Sequence, residues 1–192
     1  MENSKKFDLL IDGCLDYLEI AIIKNNKIFD LSFEIQNKNL TKIFNPSVSH
    51  IIKKNNLKKE DIENIYIING PGSFTSQKTV VIFANTFKKV FPKTNLFYLN
   101  SLQWCITKND EISFIDAKTE LFYVASNNFK KPFLIKKTEV EKLSNQYNKY
   151  FYNLESKKNI FEKWEFNSKR FIPSDFIKPL YIKKPVYDYH QK

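Results

Sequence analysis

Apolar and polar residues alternate in three short runs at the start of the chain, Phe7–Asp12, Tyr17–Lys24 and Lys27–Ile35. Gly13-Cys14-Leu15-Asp16 and Asn25-Asn26 separate them. Period-two patterning bounded by turn formers predicts a three-stranded antiparallel meander. Asn37-Lys38-Asn39 breaks that pattern, and Leu40, Ile43, Phe44, Val48, Ile51 and Ile52 then recur at helical spacing. Pro46 falls within the first turns, where it is tolerated, and Asn55-Asn56 end this helix. A strand at 65–68, a second helix and a strand at Asn95–Leu99 follow. Right-handed crossovers make these later strands parallel, so the first half reads as an α/β unit: meander, then helix, strand, helix, strand.

The stretch 61–91 organises that half. The chain has three glycines, and two of them, Gly70 and Gly72, flank Pro71 between the strand and the second helix. Such a turn has a specified shape, because glycine supplies positive φ or close approach while proline fixes one φ. Two readings are open for Gly70-Pro71-Gly72-Ser73-Phe74-Thr75. Free N–H groups at a helix start form an anion cradle. The run is neither a Walker motif nor G-x-G-x-x-G, however, and the favoured reading is a tight connection with Ser73 or Thr75 as N-cap. On the helix, Val80, Phe83, Ala84, Phe87 and Phe91 form a stripe that covers a sheet. Thr79, Ile82 and Thr86 form a second stripe, near Lys78, Asn85 and Lys89, without an evident partner within the chain.

The second half carries shorter signals. Residues 100–107 read as a helix capped by Asn100 or Ser101 with Trp104 in the core, and 112–116 with Leu121–Ser126 as a hairpin. An edge strand at 130–137, a helix at 138–147 capped by Thr138 with Glu141 three residues on, and a strand at 150–154 complete it. Residues 155–178 carry no assignable pattern, and the tail after Pro185 reads as surface. The order is that of a ribonuclease H-like or actin-like ATPase (ASKHA) fold, with an N-terminal lobe over 1–99 and a second lobe over 100–192 that is reduced by comparison with the family this chain resembles below.

Composition changes the picture little. The 192 residues, 42% of them hydrophobic, suffice for one domain or two small lobes. No run of apolar residues is long enough for a membrane span, which predicts a cytoplasmic protein with no membrane partner. Two cysteines, Cys14 and Cys105, and two histidines, His50 and His190, make a metal centre or disulfide scaffold improbable. The net charge of +10 resides almost wholly in lysine, since Arg170 is the one arginine. Coding bias accounts for that, although the charge itself gives a weak electrostatic preference for RNA or acidic partners.

With these residues in place, the chain resembles the TsaB (YeaZ) family over nearly its whole length. Gly70 to Thr75 agree with that family's GPGSFTGLRIG stretch, whereas Ser76, Gln77, Lys78, Thr79 and Val80 depart from it. Leu99-Asn100-Ser101-Leu102, Ile115-Asp116-Ala117-Lys118 and Pro179-Leu180-Tyr181-Ile182-Lys183 resemble three further family stretches in order. Lysine replaces a family arginine at Lys78, Lys118 and Lys183, keeping charge without the bidentate guanidinium.

The resemblance implies a non-catalytic scaffold, a pseudoenzyme that docks on TsaD and supports threonylcarbamoyl transfer to the tRNA adenosine beside the anticodon. It implies TsaE as a further partner and tRNA as an indirect one. It also places ATP or ADP at the level of the complex, with no cofactor or metal held by this chain alone. Docking through the first two helices maps here to Ile43, Ser47, His50, Thr75, Lys78, Thr79, Ile82 and Thr86, with Gly70, Pro71, Gly72, Ser73 and Phe74 as the family turn. A homodimer through the same helices is open. The alternatives are a basic RNA-binding module and a stand-alone ASKHA-type ATPase. For the latter, Asp12-Gly13-Cys14-Leu15 lacks the hydroxyl residue of a phosphate-binding hairpin. Asp12 reads as a turn former, and no catalytic residue is expected.

Overall fold

The computed structural model describes residues 6–15, 17–35, 39–106, 108–118, 120–129, 131–151 and 166–183. Strands β1 (Phe7–Asp12), β2 (Tyr17–Lys24) and β3 (Lys27–Ile35) form the expected meander. Asn25 and Asn26 both take positive φ, 53° and 58°, as a two-residue hairpin turn between twisted strands requires. Helix α1 (Leu40–Lys54) leads to β4 (Ile62–Ile68), and α2 (Phe74–Val90) to β5 (Asn95–Leu99). β4 runs parallel to β1 and β5 parallel to β4, as right-handed crossovers demand.

The first sheet has six strands in the order β10-β5-β4-β1-β2-β3, where β10 is Ile172–Pro173, antiparallel to β5. The second has four, β8 (Phe133–Lys136), β7 (Leu121–Ser126), β6 (Glu111–Asp116) and β9 (Asn148–Phe151), in that order. Short helices α3 (Ser101–Cys105) and α4 (Val140–Ser144) flank the second sheet. β1 to β5 lie in the first sheet and β6 to β9 in the second, and β10 then pairs with β5 of the first sheet.

Two cores sandwich the first sheet. Phe7, Leu9 and Ile11 of β1, with Ile65 and Ile67 of β4, pack beneath α1 and α2. Leu10, Tyr66 and Ile68 point the other way, onto Ile115, Tyr123 and Ala125 of the second sheet. β2, which reads as an alternating strand, is buried on both faces, and even Glu19 is inaccessible. Covering both faces of a central sheet with other elements removes the solvent side that alternation assumes. A smaller core of Ile112, Phe114, Val124, Ile135 and Val140 lies on the outer face of the second sheet.

Local signals held where the hydrogen bonds are local. The Asn100 side chain accepts from Gln103 N–H at 2.8 Å as the α3 cap, and Trp104 is buried. Thr138 does not cap the later helix. A 3-10 turn over Lys137–Glu139 precedes α4, and the Glu139 carboxylate accepts from Lys136 N–H at 2.9 Å instead. Part of the 150–154 strand and residues 155–165 lie outside the described residues. Arg170, in the turn Ser168–Arg170, donates to the carbonyls of Gln103 and Ile106, closing the end of α3. Burial pulls its guanidinium below the usual range.

The aromatic centre yields a pH-dependence. Tyr66 stacks on Phe97 at 4.8 Å and meets Phe166 and Phe171 edge-on. Burial first, then the charges of Asp8 and Glu63, push its phenol from 10.0 to about 12. The unfolded chain therefore loses this proton before the folded one, so the stability contribution is complete below pH 10.0 and lost as pH rises through about 12. Urea melts across that window are expected to fall more gently for Tyr66→Phe than for the wild type; parallel curves would refute the assignment. At Gly72 a Cβ would land 2.0 Å from the Cys14 carbonyl oxygen. Gly72→Ala is expected to cost roughly 3 kcal/mol and lower Tm by about 10 °C. Gly13→Ala, whose Cβ meets the Val80 methyl at 3.1 Å, should cost less by the same thermal melt.

Candidate functional site

The turn before α2 is a four-way junction. Ser73 N–H donates to the Cys14 carbonyl at 2.9 Å, tying it to the β1–β2 turn. Ser101 donates its N–H to Gly70 O at 2.8 Å and its hydroxyl to Pro71 O at 2.6 Å. Leu180 N–H donates to Asn69 O at 2.8 Å, and Asn69 Nδ2 donates to Lys178 O at 3.0 Å. Gly70 has φ +114°, inside the region that favours glycine, and the Gly70-Pro71 bond is cis. Three of the four stretches that carry the family resemblance thus meet at one point. In the fourth, Ile115 and Ala117 are buried in the second core, and Lys118 N–H donates to Asp116 Oδ1 at 2.7 Å in the hairpin turn.

This packing favours the connector reading of the turn over the anion cradle. The carbonyl of Cys14 lies over Gly72 and takes the Ser73 amide, which a bound anion would need. Ser73 stands at the N-cap position without a side-chain capping bond. Asp12 is buried, and its carboxylate accepts from Cys14 N–H at 3.0 Å and from the Tyr17 hydroxyl at 3.4 Å, the bonds of a turn former.

From this junction α2 runs beside α1 across the first core, leaving a groove of about 660 Å³ between them. Its floor is aromatic: Phe44 meets Phe83 edge-on at 5.2 Å, and Phe83, Phe87 and Phe91 follow one another at 5.7 and 4.7 Å. Asn45, Val48, Ser49 and Ile52 form the α1 wall, and Thr79, Ile82, Thr86 and Val90 the α2 wall. Ile82 and Val90 are each 62% exposed, although both are β-branched apolar residues. Paired aliphatic side chains left in water above an aromatic floor suit a helical partner, whose apolar ridge would fill the groove.

The expected docking residues divide along the helices. Thr79, Ile82 and Thr86 line the groove. Thr75 and Lys78 are exposed further toward the start of α2, and the Thr79 hydroxyl donates to Thr75 O at 2.9 Å. On α1 the placement differs. His50 is exposed but does not line the groove, Ile43 is half-buried against the first core, and Ser47 is buried with its hydroxyl donating to Ile43 O at 2.8 Å. Ser47 is therefore not part of an exposed stripe. At 100° per residue these three occupy the other flank of α1 from Asn45, Ser49 and Ile52. A helical wheel cannot say on which side the neighbouring helix lies.

The sequence reading also missed Val90 and the far flank of α2. There Asn85 exchanges bonds with Ile177, donating to its carbonyl at 2.9 Å and accepting its N–H at 3.0 Å. The returning segment buries Ile177 in the first core and sets Tyr181 against Phe74, 5.0 Å between rings. Among the described residues, the returning segment thus covers one side of α2 and the groove side stays open. Among the described residues, no helix is long and apolar enough to cross a membrane.

Residues 33–170 match the protein family described as TsaD: tRNA N6-adenosine threonylcarbamoyltransferase. The chain is similar to the uncharacterized protein MG208 of Mycoplasma genitalium, 30% identical over 191 residues that cover 94% of this chain and 97% of that protein. The MG208 homolog of Mycoplasma pneumoniae is 34% identical over 126 residues, 64% of each chain. Among solved structures, YeaZ from Pseudomonas aeruginosa superposes with a TM-score of 0.66 at 10% identity, over 92% of this chain and 99% of that one. A second Pseudomonas aeruginosa structure, an uncharacterized protein with similarity to peptidase YEAZ, gives the same TM-score and identity over 93% and 100%. The family match spans most of the chain, so the protein belongs to the family described as TsaD, and its fold is that of the YeaZ structures.

Proposed function

We propose that this protein is a docking subunit for the catalytic TsaD subunit, held through the groove between α1 and α2. In that role it supports threonylcarbamoyl transfer to the tRNA adenosine next to the anticodon. The observation that carries the reading is the open groove, with Ile82 and Val90 each 62% exposed above buried aromatic rings. Covering those two side chains would contribute on the order of 1–2 kcal/mol each.

The proposal assigns chemistry to the partner. TsaD would supply the metal, nucleotide and transfer site, TsaE would join the assembly with ATP or ADP acting there, and tRNA would meet this chain indirectly. The filled junction at Gly72 supports the assignment, because the chain's own Cys14 carbonyl occupies the approach to the start of α2. Within the groove, Thr79, Ile82, Thr86 and Val90 are the proposed contacts from α2, and Val48, Ser49 and Ile52 those from α1.

The test is co-purification of the full-length chain with TsaD from the same organism, followed by titration calorimetry. Ile82→Asp places a carboxylate at the centre of the exposed face and is expected to weaken association by about 3 kcal/mol or more, at an unchanged melting temperature. Thr79→Asp should act in the same direction. Undiminished binding by both variants would move the interface elsewhere, and loss of the melting transition would point to a folding role for Ile82.

A further inference from the structure

We propose that one end of the first sheet, where the β2–β3 turn meets the starts of β1, β4 and β5, is a binding surface for unpaired RNA. The inference does not rest on the docking proposal, and it replaces the indirect RNA contact assumed there with a direct one.

Strand register brings these segments together. Phe7 and Asp8 of β1 pair with Ile62 and Asn64 of β4, Asn64 pairs with Asn95 of β5, and Asp8 pairs with Ile23 beside the turn. Lys6, Lys24, Lys27, Lys58 and Lys93 are exposed on this end. They lie on strand starts and turns, so no helix dipole accounts for them, as it does for Lys53, Lys54 and Lys89 in the last turns of α1 and α2. Coding bias raises the number of lysines in a chain, but it does not gather them at one end. The neighbouring carboxylates are already engaged. Glu63 pairs with Lys6 and Asp30 with Lys54, while Asp8 accepts from Asn64 at 2.7 Å and Asp61 from Lys58 N–H at 2.7 Å, leaving the exposed Glu60. Among the described residues, Lys24, Lys27, Lys58 and Lys93 enter no ion pair.

An aromatic ring stands beside this charge. The β2–β3 ladder shifts register between Ile22 and Ile23, a bulge that leaves Phe29 without a cross-strand partner. Bulges re-aim side chains, and Phe29 is 56% exposed, its ring edge-on to Phe7 at 5.6 Å. Lys24 Nζ lies 5.0 Å from the centre of the Phe7 ring, so cation and rings are neighbours. Lysines that take phosphates and a ring that takes a base are the two parts of a single-strand site, where bases are free to stack. A duplex offers this end its phosphates alone. A membrane surface is held by several apolar side chains inserted together, whereas the turns here carry the exposed Asn25, Asn26 and Asn56.

The test is fluorescence anisotropy of the full chain with a labelled, unstructured RNA of about twelve nucleotides. Binding at about 50 mM NaCl is expected to weaken roughly fiftyfold by about 200 mM, as four phosphate contacts require. Lys24→Glu with Lys27→Glu, and separately Lys58→Glu with Lys93→Glu, should each weaken binding about tenfold or more at an unchanged Tm. Lys137→Glu with Lys142→Glu makes the same change of net charge at exposed positions beside the second sheet and should cost less than about threefold. Phe29→Ala should cost about fivefold with this RNA and nothing with an RNA duplex of equal length, and Phe29→Tyr should restore the affinity. Absent binding at low salt, equal losses from all three lysine pairs, or capture by phosphatidylserine vesicles in place of RNA would overturn the proposal. The assay contains no TsaD, so its failure leaves the docking proposal standing, and a failed TsaD complex leaves this surface standing.

Discussion

The contact between the Cys14 carbonyl and the backbone at Gly72 and Ser73 fixes the position of everything that follows. It joins the end of the meander to the start of α2, and only a residue without a Cβ lets the two backbones come so close. Once α2 begins there, its axis lies over the first core with Val80, Ala84 and Phe87 turned inward. The groove beside α1 is a consequence, because α1 is set independently by the crossover from β3 to β4.

The same junction explains why short stretches far apart in the chain carry family likeness. Asn69–Ser73, the Leu99–Ser101 corner and the Lys178–Leu180 segment exchange main-chain hydrogen bonds within one buried knot. Buried backbone groups must be paired, and each of these segments supplies what the others leave open. The knot holds the sheet edges, α2 and the returning segment in one arrangement. Its role is structural, and the open surface lies a few turns along the helix.

That surface owes its character to what does not reach it. The returning segment satisfies Asn85 and buries Ile177 on one flank of α2, then turns to meet Asn69 and Phe74. Among the described residues, the opposite flank keeps Ile82 and Val90 in water beside an aromatic floor. Exposed aliphatic side chains over such a floor suit the apolar core of a protein interface.

The sequence alone determined the strands of the meander, both helices, β5 and the second hairpin, and narrowed the α3 cap to Asn100 or Ser101, because each rests on residues within a few positions of one another. It also marked Thr79, Ile82 and Thr86, since helical periodicity is a local property. Tertiary structure decided the rest. Burial of β2 on both faces depends on a sheet that arrives a hundred residues later. Ser47 faces inward while Asn45 and Ser49 line the groove because the neighbouring helix lies on one side of α1, and a wheel has no sides. The return of Ile172–Pro173 to β5 pairs segments far apart in the chain, and no local pattern records a partner at that distance.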